Sequence, residues 1–286
     1  MVVTDALNPG RPGRLREGPI VAGYAIHDQV ESFPPPIRLH RNPVIMKSNR
    51  FFIPRLLPVL LAAGIANAQT TREPLVEESI LGYLKVVQDP DGNTNLRTAP
   101  NLESKIAGKV LSGAPVFADP EPEAGFHMVF LDKEDGTSDR YIHGSRLKPV
   151  KDWKATGPEG DSGRLRYENF EATVKGPVFV AAEHQITTDA NGMVRVDGKI
   201  PWGEDGGEPD YDLVLAVSID GKSVDLPAEA TENLYNPNLT TLVLLTPGDP
   251  SEHALLMMAN SDGAGGYYVA WSFEKGVYRG RAMLTP

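Results

Sequence analysis

From Leu81 to the C-terminus no apolar stretch holds a helical period, and this limits the fold more than any other feature of the chain. The segments GYLKVV, KIAGKVL, APVFAD, FHMVFLD and RYIHGSRL are each of strand length. DPDGN, TAPNLES, PEPEAG and KEDGTSD separate them, and all four are turn chemistry. Asp135-Gly136 predicts a hairpin between the last two strands. Residues 151–163 (KDWKATGPEGDSG) are rich in Gly, Pro and charge and read as a linker. A second series follows over 164–286: RLRYENFEATV, PVFVAAEHQI, MVRVDG, YDLVLAVSID, KSVDL, TTLVLLT, HALLMMA, GYYVAWSFE and VYRGRAML. Asn191-Gly192, Asp220-Gly221 and Lys275-Gly276 predict three further hairpins. PAEATENLY has room for one helical turn. The expectation is an all-β chain: a small barrel over 80–150, then an antiparallel β-sandwich or open barrel of about seven to nine strands.

Upstream, residues 46–69 (MKSNRFFIPRLLPVLLAAGIANAQ) read as an export signal. Lys47, Arg50 and Arg55 supply the basic region, Leu56 to Ile65 the apolar run, and Ala66-Asn67-Ala68 the cleavage site. The apolar run is shorter than the roughly 20 residues a membrane-spanning helix needs. The reading starts translation at Met46, ends the signal peptide at Ala68 and begins the mature chain at Gln69. Residues 1–45, rich in Pro, Arg and Gly, read as a disordered leader or an over-extended start. The expected location is therefore outside the cytoplasm, periplasmic or secreted.

The chain has no cysteine, so an exported form gains no disulfides and depends on a packed core. The same absence excludes cysteine nucleophiles and thiolate metal sites. The net charge is −10, and the first 68 residues hold 8 of the 28 basic and 4 of the 38 acidic side chains. The remainder is thus near −14. A surface of that sign argues against nucleic acid or anionic lipid as partners, since both require Lys/Arg footprints.

The stretch Asn95-Leu96-Arg97-Thr98-Ala99-Pro100, followed by Ile106-Ala107-Gly108-Lys109-Val110-Leu111-Ser112-Gly113 and by Tyr141-Ile142-His143-Gly144-Ser145-Arg146-Leu147, resembles the bacterial SH3-like domain. That family reads N-x-R-x-x-P, I-G-x-L-x-x-G and W-V-H-x-S-x-L in this order. The match covers about residues 80–150. It departs where Phe126-His127 replaces the usual Trp and where a Pro- and Glu-rich loop follows Asp119. The resemblance implies an SH3-like small barrel that targets cell-wall peptides or glycan. It also implies peptidoglycan or an envelope protein as partner, with Asn95, Arg97, Tyr141 and His143 as contact groups. Strand alternation turns Leu96 inward and Arg97 outward.

In the second half, W-G-x-D-G at 202–206, LYNPN at 234–238 and NSDGAGGYYVAW at 260–271 resemble an uncharacterised group of exported bacterial proteins. Three glycines in the last motif allow backbone N–H groups to approach an anion or sugar, with Tyr267 or Tyr268 as a stacking face. The acidic loop Trp202–Asp210 offers Asp205 and Glu208 to a hard cation, but without the ligand register of a calcium loop. Trp202, Asp205, Asp262 and Tyr267 are the candidate ligand residues of this half.

Catalytic signatures fail. The chain contains neither G-x-S-x-G nor H-E-x-x-H. Ser145-Arg146-Leu147-Lys148 spells S-x-x-K at a strand end without its partner motifs. Asp89-Pro90-Asp91-Gly92-Asn93 opens like an EF-hand but places Thr94 and Pro100 where Gly and Glu are required. His127, His143, His184 and His253 fall on separate strands, so no metal, cofactor or catalytic residue is assigned. The reading is a non-enzymatic binding protein of the bacterial envelope. Its rivals are an envelope-polymer hydrolase using Asp205, Glu208, Asp262 and Tyr267, and an interaction protein that docks a partner by strand addition.

Overall fold

A computed structural model describes residues 78–131, 139–190, 192–260 and 265–285. The leader, the signal segment, Asp135-Gly136, Asn191 and Asp262 lie outside the described residues. The fold is all-β. Among the described residues the one α-helix is Glu78–Tyr83, where the strand GYLKVV was expected to begin. No described helix is long and apolar enough to cross a membrane.

The first sheet contains β1 (Leu84–Val87), β2 (Asn93–Arg97), β3 (Ile106–Leu111), β4 (Pro115–Ala118), β5 (Phe126–Phe130), β6 (Arg140–His143) and β7 (Leu147–Pro149). Their order is β3-β2-β6-β5-β4-β1-β7, with every paired neighbour antiparallel. Laid flat, six gaps of about 4.8 Å would spread the seven strands over roughly 29 Å. Yet Val87, Leu96, Val110, Val116, Val129, Ile142 and Leu147, drawn from all seven strands, meet in one apolar cluster. The sheet is therefore curled. Its ladder stays open, with β3 and β7 as the two edges.

Eleven strands follow: β8 (Lys154–Thr156), β9 (Arg164–Tyr167), β10 (Phe170–Lys175), β11 (Ile186–Thr188), β12 (Val194–Val196), β13 (Val214–Ile219), β14 (Lys222–Ser223), β15 (Val243–Thr246), β16 (His253–Asn260), β17 (Tyr267–Glu274) and β18 (Val277–Leu284). They form a five-stranded sheet β18-β17-β16-β15-β8, a four-stranded sheet β14-β13-β10-β9 and the β11–β12 pair. The Asp220-Gly221 and Lys275-Gly276 turns adopt the left-handed conformation at both residues (φ 53° and 69°, then 53° and 73°), as a two-residue hairpin requires.

The five-stranded sheet is a middle layer. Leu244, Leu256, Met258, Val269, Trp271 and Phe273 project from one face onto Leu165, Phe170, Val174, Leu215 and Val217 of the four-stranded sheet. Val243, Leu245, Leu255, Met257 and Ala270 project from the other face onto Leu84, Val86, Phe117 and Trp153. A strand buried on both faces has no polar alternation to show, which explains why TLVLLT, HALLMMA and YYVAWSF read as continuous apolar runs. β1 and β4 are buried throughout for the same reason: Val87 and Val116 face the curl, while Leu84 and Phe117 face the middle sheet.

Three expectations change at this level. The segment expected as a linker carries β8, which pairs with β15, and buries Trp153 beside it. RLRYENFEATV was expected as one strand, but it turns at Glu168 (φ 52°) into the β9–β10 hairpin. PVFVAAEHQI makes one isolated bridge, Val178 to Tyr211, and then a 3-10 turn at Ala181–Glu183. Pro177 supplies no ladder N–H there, and Val178 remains 69 % exposed.

Candidate functional site

Alternate residues of β2 face outward. Thr94 and Leu96 are buried, whereas Asn93, Asn95 and Arg97 are partly open. Arg97 lies opposite Tyr141 across the β2–β6 ladder, and Lys109 lies opposite Asn95 across β2–β3. His143, two residues beyond Tyr141, shares its face and lies opposite Phe126 of β5. The four residues drawn from the SH3-like resemblance therefore occupy one face of two adjacent strands. Asn95, Arg97 and His143 open on a polar cleft of about 530 Å³, which Lys109, Arg146 and Asp89 also line. Tyr141 stands beside the cleft without lining it.

Several of these side chains also hold the cleft in shape. The Arg97 guanidinium donates to the carbonyls of Leu102 (2.6 Å) and Ser104 (2.8 Å), stapling the loop after β2. His143 Nδ1 accepts from the Ser145 hydroxyl (2.8 Å) and amide (3.3 Å), capping the 3-10 turn Gly144–Arg146. Its ring meets Phe126 edge-on at 4.9 Å. Asp89 is buried, accepts from the Asp91 amide (2.9 Å) and pairs with Arg146 at 3.4 Å. Lys109 is exposed and makes no ion pair among the described residues. Arg97, Lys109 and Arg146 outnumber Asp89 and Asp91, so a chain acidic overall concentrates cations here.

The three motifs of the second half interlock. The Trp202 amide donates to Asn233 O (3.0 Å), Tyr235 N donates to Trp202 O (2.8 Å), and Gly203 N donates to Gly265 O (2.8 Å). Asn236 Nδ2 donates to Gly203 O (2.9 Å) and Glu204 Oε2 (3.1 Å), while its Oδ1 accepts from the amides of Asp210 and Tyr211. Asp205 accepts from Gly265 N. Gly203 and Gly265 are required sterically. A Cβ on either would lie 2.2 Å from a carbonyl oxygen, that of Tyr235 or Glu204 respectively. The knot forms part of the wall of a mainly apolar pocket of about 300 Å³, with Trp202 and Asp205 both in its lining.

Tyr267 corrects the expectation of a stacking face. It is buried in the sandwich core, and its hydroxyl donates to Tyr235 O (3.1 Å). Burial pushes its pKa above the ordinary tyrosine value. Tyr235 is pushed up to about 12 for the same reason, with nearby carboxylates adding to the shift. Glu208 is exposed and does not line the pocket.

The four histidines hold separate partners. His127 Nδ1 lies 2.7 Å from Asp119 O, and His143 is described above. His184 bonds Asp197 (2.8 Å) and stacks on Phe179, and the bond holds the Asp197 carboxyl below the usual carboxylate range. His253 Nε2 lies 3.2 Å from Ser272 Oγ, which donates to Gly113 O (2.6 Å). No group of three metal-ligating side chains forms among the described residues. Comparison with protein-family models, curated proteins and solved structures finds no match.

Proposed function

We propose that this chain is an exported, non-enzymatic binding protein of the bacterial envelope whose N-terminal SH3-like sheet takes peptidoglycan in the cleft along β2 and β6. One observation carries the reading: Asn95, Arg97 and His143, singled out by their motif, open together on one cleft beside an uncommitted Lys109. Amide and imidazole groups beside an excess of cations suit a ligand rich in carboxylates and amides, such as a cell-wall peptide stem. The test is retention of the purified protein on isolated sacculi. Lys109→Ala should cost about fivefold in affinity, roughly 1 kcal/mol for a solvent-screened charged contact. Asn95→Ala should cost a similar factor. Retention equal to that of an unrelated acidic protein, or indifferent to both substitutions, refutes the proposal.

A second reading has its own observation. β3 is an edge strand on which Ile106 and Leu111 stand about half exposed, a template for strand addition by an envelope protein. Ile106→Lys would then abolish capture of that protein while sparing sacculus binding. The hydrolase reading gains no such support, because Asp205 accepts a structural hydrogen bond from Gly265, Tyr267 is buried in the core and Glu208 stands outside the pocket.

A further inference from the structure

The second pocket, remote in sequence from the SH3-like motif, joins two kinds of surface. Val194 of β12 and Met193 just before it, together with Ile200 and Trp202, supply apolar walls. Glu204 and Asp205 are the charged side chains lining it among the described residues. The neighbouring cations are engaged elsewhere: Lys199 pairs with Glu232, and Arg195 bonds the Gly198 carbonyl. The acidic lip is held in place, with Glu204 fixed by the Asn236 side-chain amide and Asp205 by the Gly265 backbone amide. The β12 wall is fixed too. Asp197, at the base of the β11–β12 hairpin, accepts from both His184 and the Gln185 amide. The result is a built apolar box of about 300 Å³, the small end of the range for ligand pockets, with negative charge on one side.

From this juxtaposition we propose that the pocket binds a small organic cation, an aryl-alkyl primary amine. The hydrocarbon body would lie among Met193, Val194, Ile200 and Trp202, with the ammonium between Glu204 and Asp205. An indole is the aromatic face that best attracts a cation, and burying the hydrocarbon supplies the non-specific part of the affinity. A bare metal ion fits poorly, since two carboxylates beside hydrocarbon offer too few of the six to eight oxygens calcium takes.

The experiment compares phenethylamine, 2-phenylethanol and 3-phenylpropanoate by titration calorimetry on the full chain, with Trp fluorescence as a second readout. The amine should bind at least tenfold more tightly than the alcohol, and the acid should bind weakest. Glu204→Gln and Asp205→Asn keep an oxygen for Asn236 and Gly265 and remove only the charge. Each should erase most of the amine's advantage while leaving alcohol binding unchanged. Lys109→Ala, in the other cleft, should leave all three affinities unchanged. Equal affinity of the amine and the alcohol, absence of amine binding, or amine binding indifferent to both charge-removing variants would each overturn the proposal.

Discussion

Phe117 tests whether the seven-stranded first sheet and the sandwich are one cooperative body. Its ring is wholly buried on the face of β4 that packs, with Leu84 and Val86, against Val243, Leu245, Leu255 and Ala270 of the middle sheet. Phe117→Ala removes a phenyl ring from a close-packed layer and leaves a cavity walled by both halves of the chain. Such truncations cost about 3–5 kcal/mol. For a body of this size each kcal/mol lowers Tm by about 2–4 °C, so a fall on the order of 10 °C is expected. The assay is scanning calorimetry. A shared core predicts a single transition with matching calorimetric and van't Hoff enthalpies, before and after the substitution. Amide exchange at Trp271, in the core on the opposite face of the middle sheet, should accelerate along with exchange at Leu84. Two calorimetric transitions, of which Phe117→Ala moves only one, would refute the reasoning. So would a Trp271 amide as protected in the variant as in the wild type.

Two further substitutions test the local accounts. Burial depresses the pKa of His253, so the folded ring takes up a proton at lower pH than the unfolded chain, which does so near pH 6.5. Its contribution to stability is complete above that value and falls as pH drops below it, until the folded-state pKa is reached. Tm measured between pH 7.5 and 5 should therefore decline less steeply in His253→Gln, and parallel slopes would exclude the mechanism. Asn236 holds the knot through bonds to Gly203, Glu204, Asp210 and Tyr211 at a left-handed φ of 47°. Asn236→Ala should cost about 2–4 kcal/mol in denaturant unfolding, and a loss under 1 kcal/mol would show that the knot is ornamental.

What the sequence made legible follows from which signals are local. The hairpins at Asp220-Gly221 and Lys275-Gly276 are written in two residues each, because few side chains tolerate those dihedrals. The inward turn of Leu96 and outward turn of Arg97 follow from the two-residue period of a strand. The layer order was not legible. Val243, Leu244 and Leu245 look alike in sequence, yet alternate residues enter different cores. Trp153 looked like linker because Gly, Pro and charge surround it, and only the presence of β15 makes its neighbours a strand. The turn at Glu168 carries no glycine, and tertiary bonds from Asn169 to Asp220 fasten it. Tyr267 looked available for stacking because a glycine-rich loop precedes it. Its place in the register, opposite Asn260 on a doubly covered sheet, buries it.

The three-layer arrangement also dictates where a ligand can meet this chain. The middle sheet has a packed layer on each face, so its long apolar strands have no surface on which to build a site. β1 and β4 are committed in the same way. Within the first sheet, β2, β3 and β6 keep one face outside the cores, and the polar cleft lies across them. In the second half the remaining freedom belongs to connections off the sheets, where Gly203 and Gly265 let two loops touch through their backbones and frame the apolar pocket. The Asn95–His143 pair and the Trp202–Asp205 loop are thus separated for a structural reason. Each sits where the architecture leaves polar side chains unburied, away from the apolar residues that fill both faces of the middle sheet.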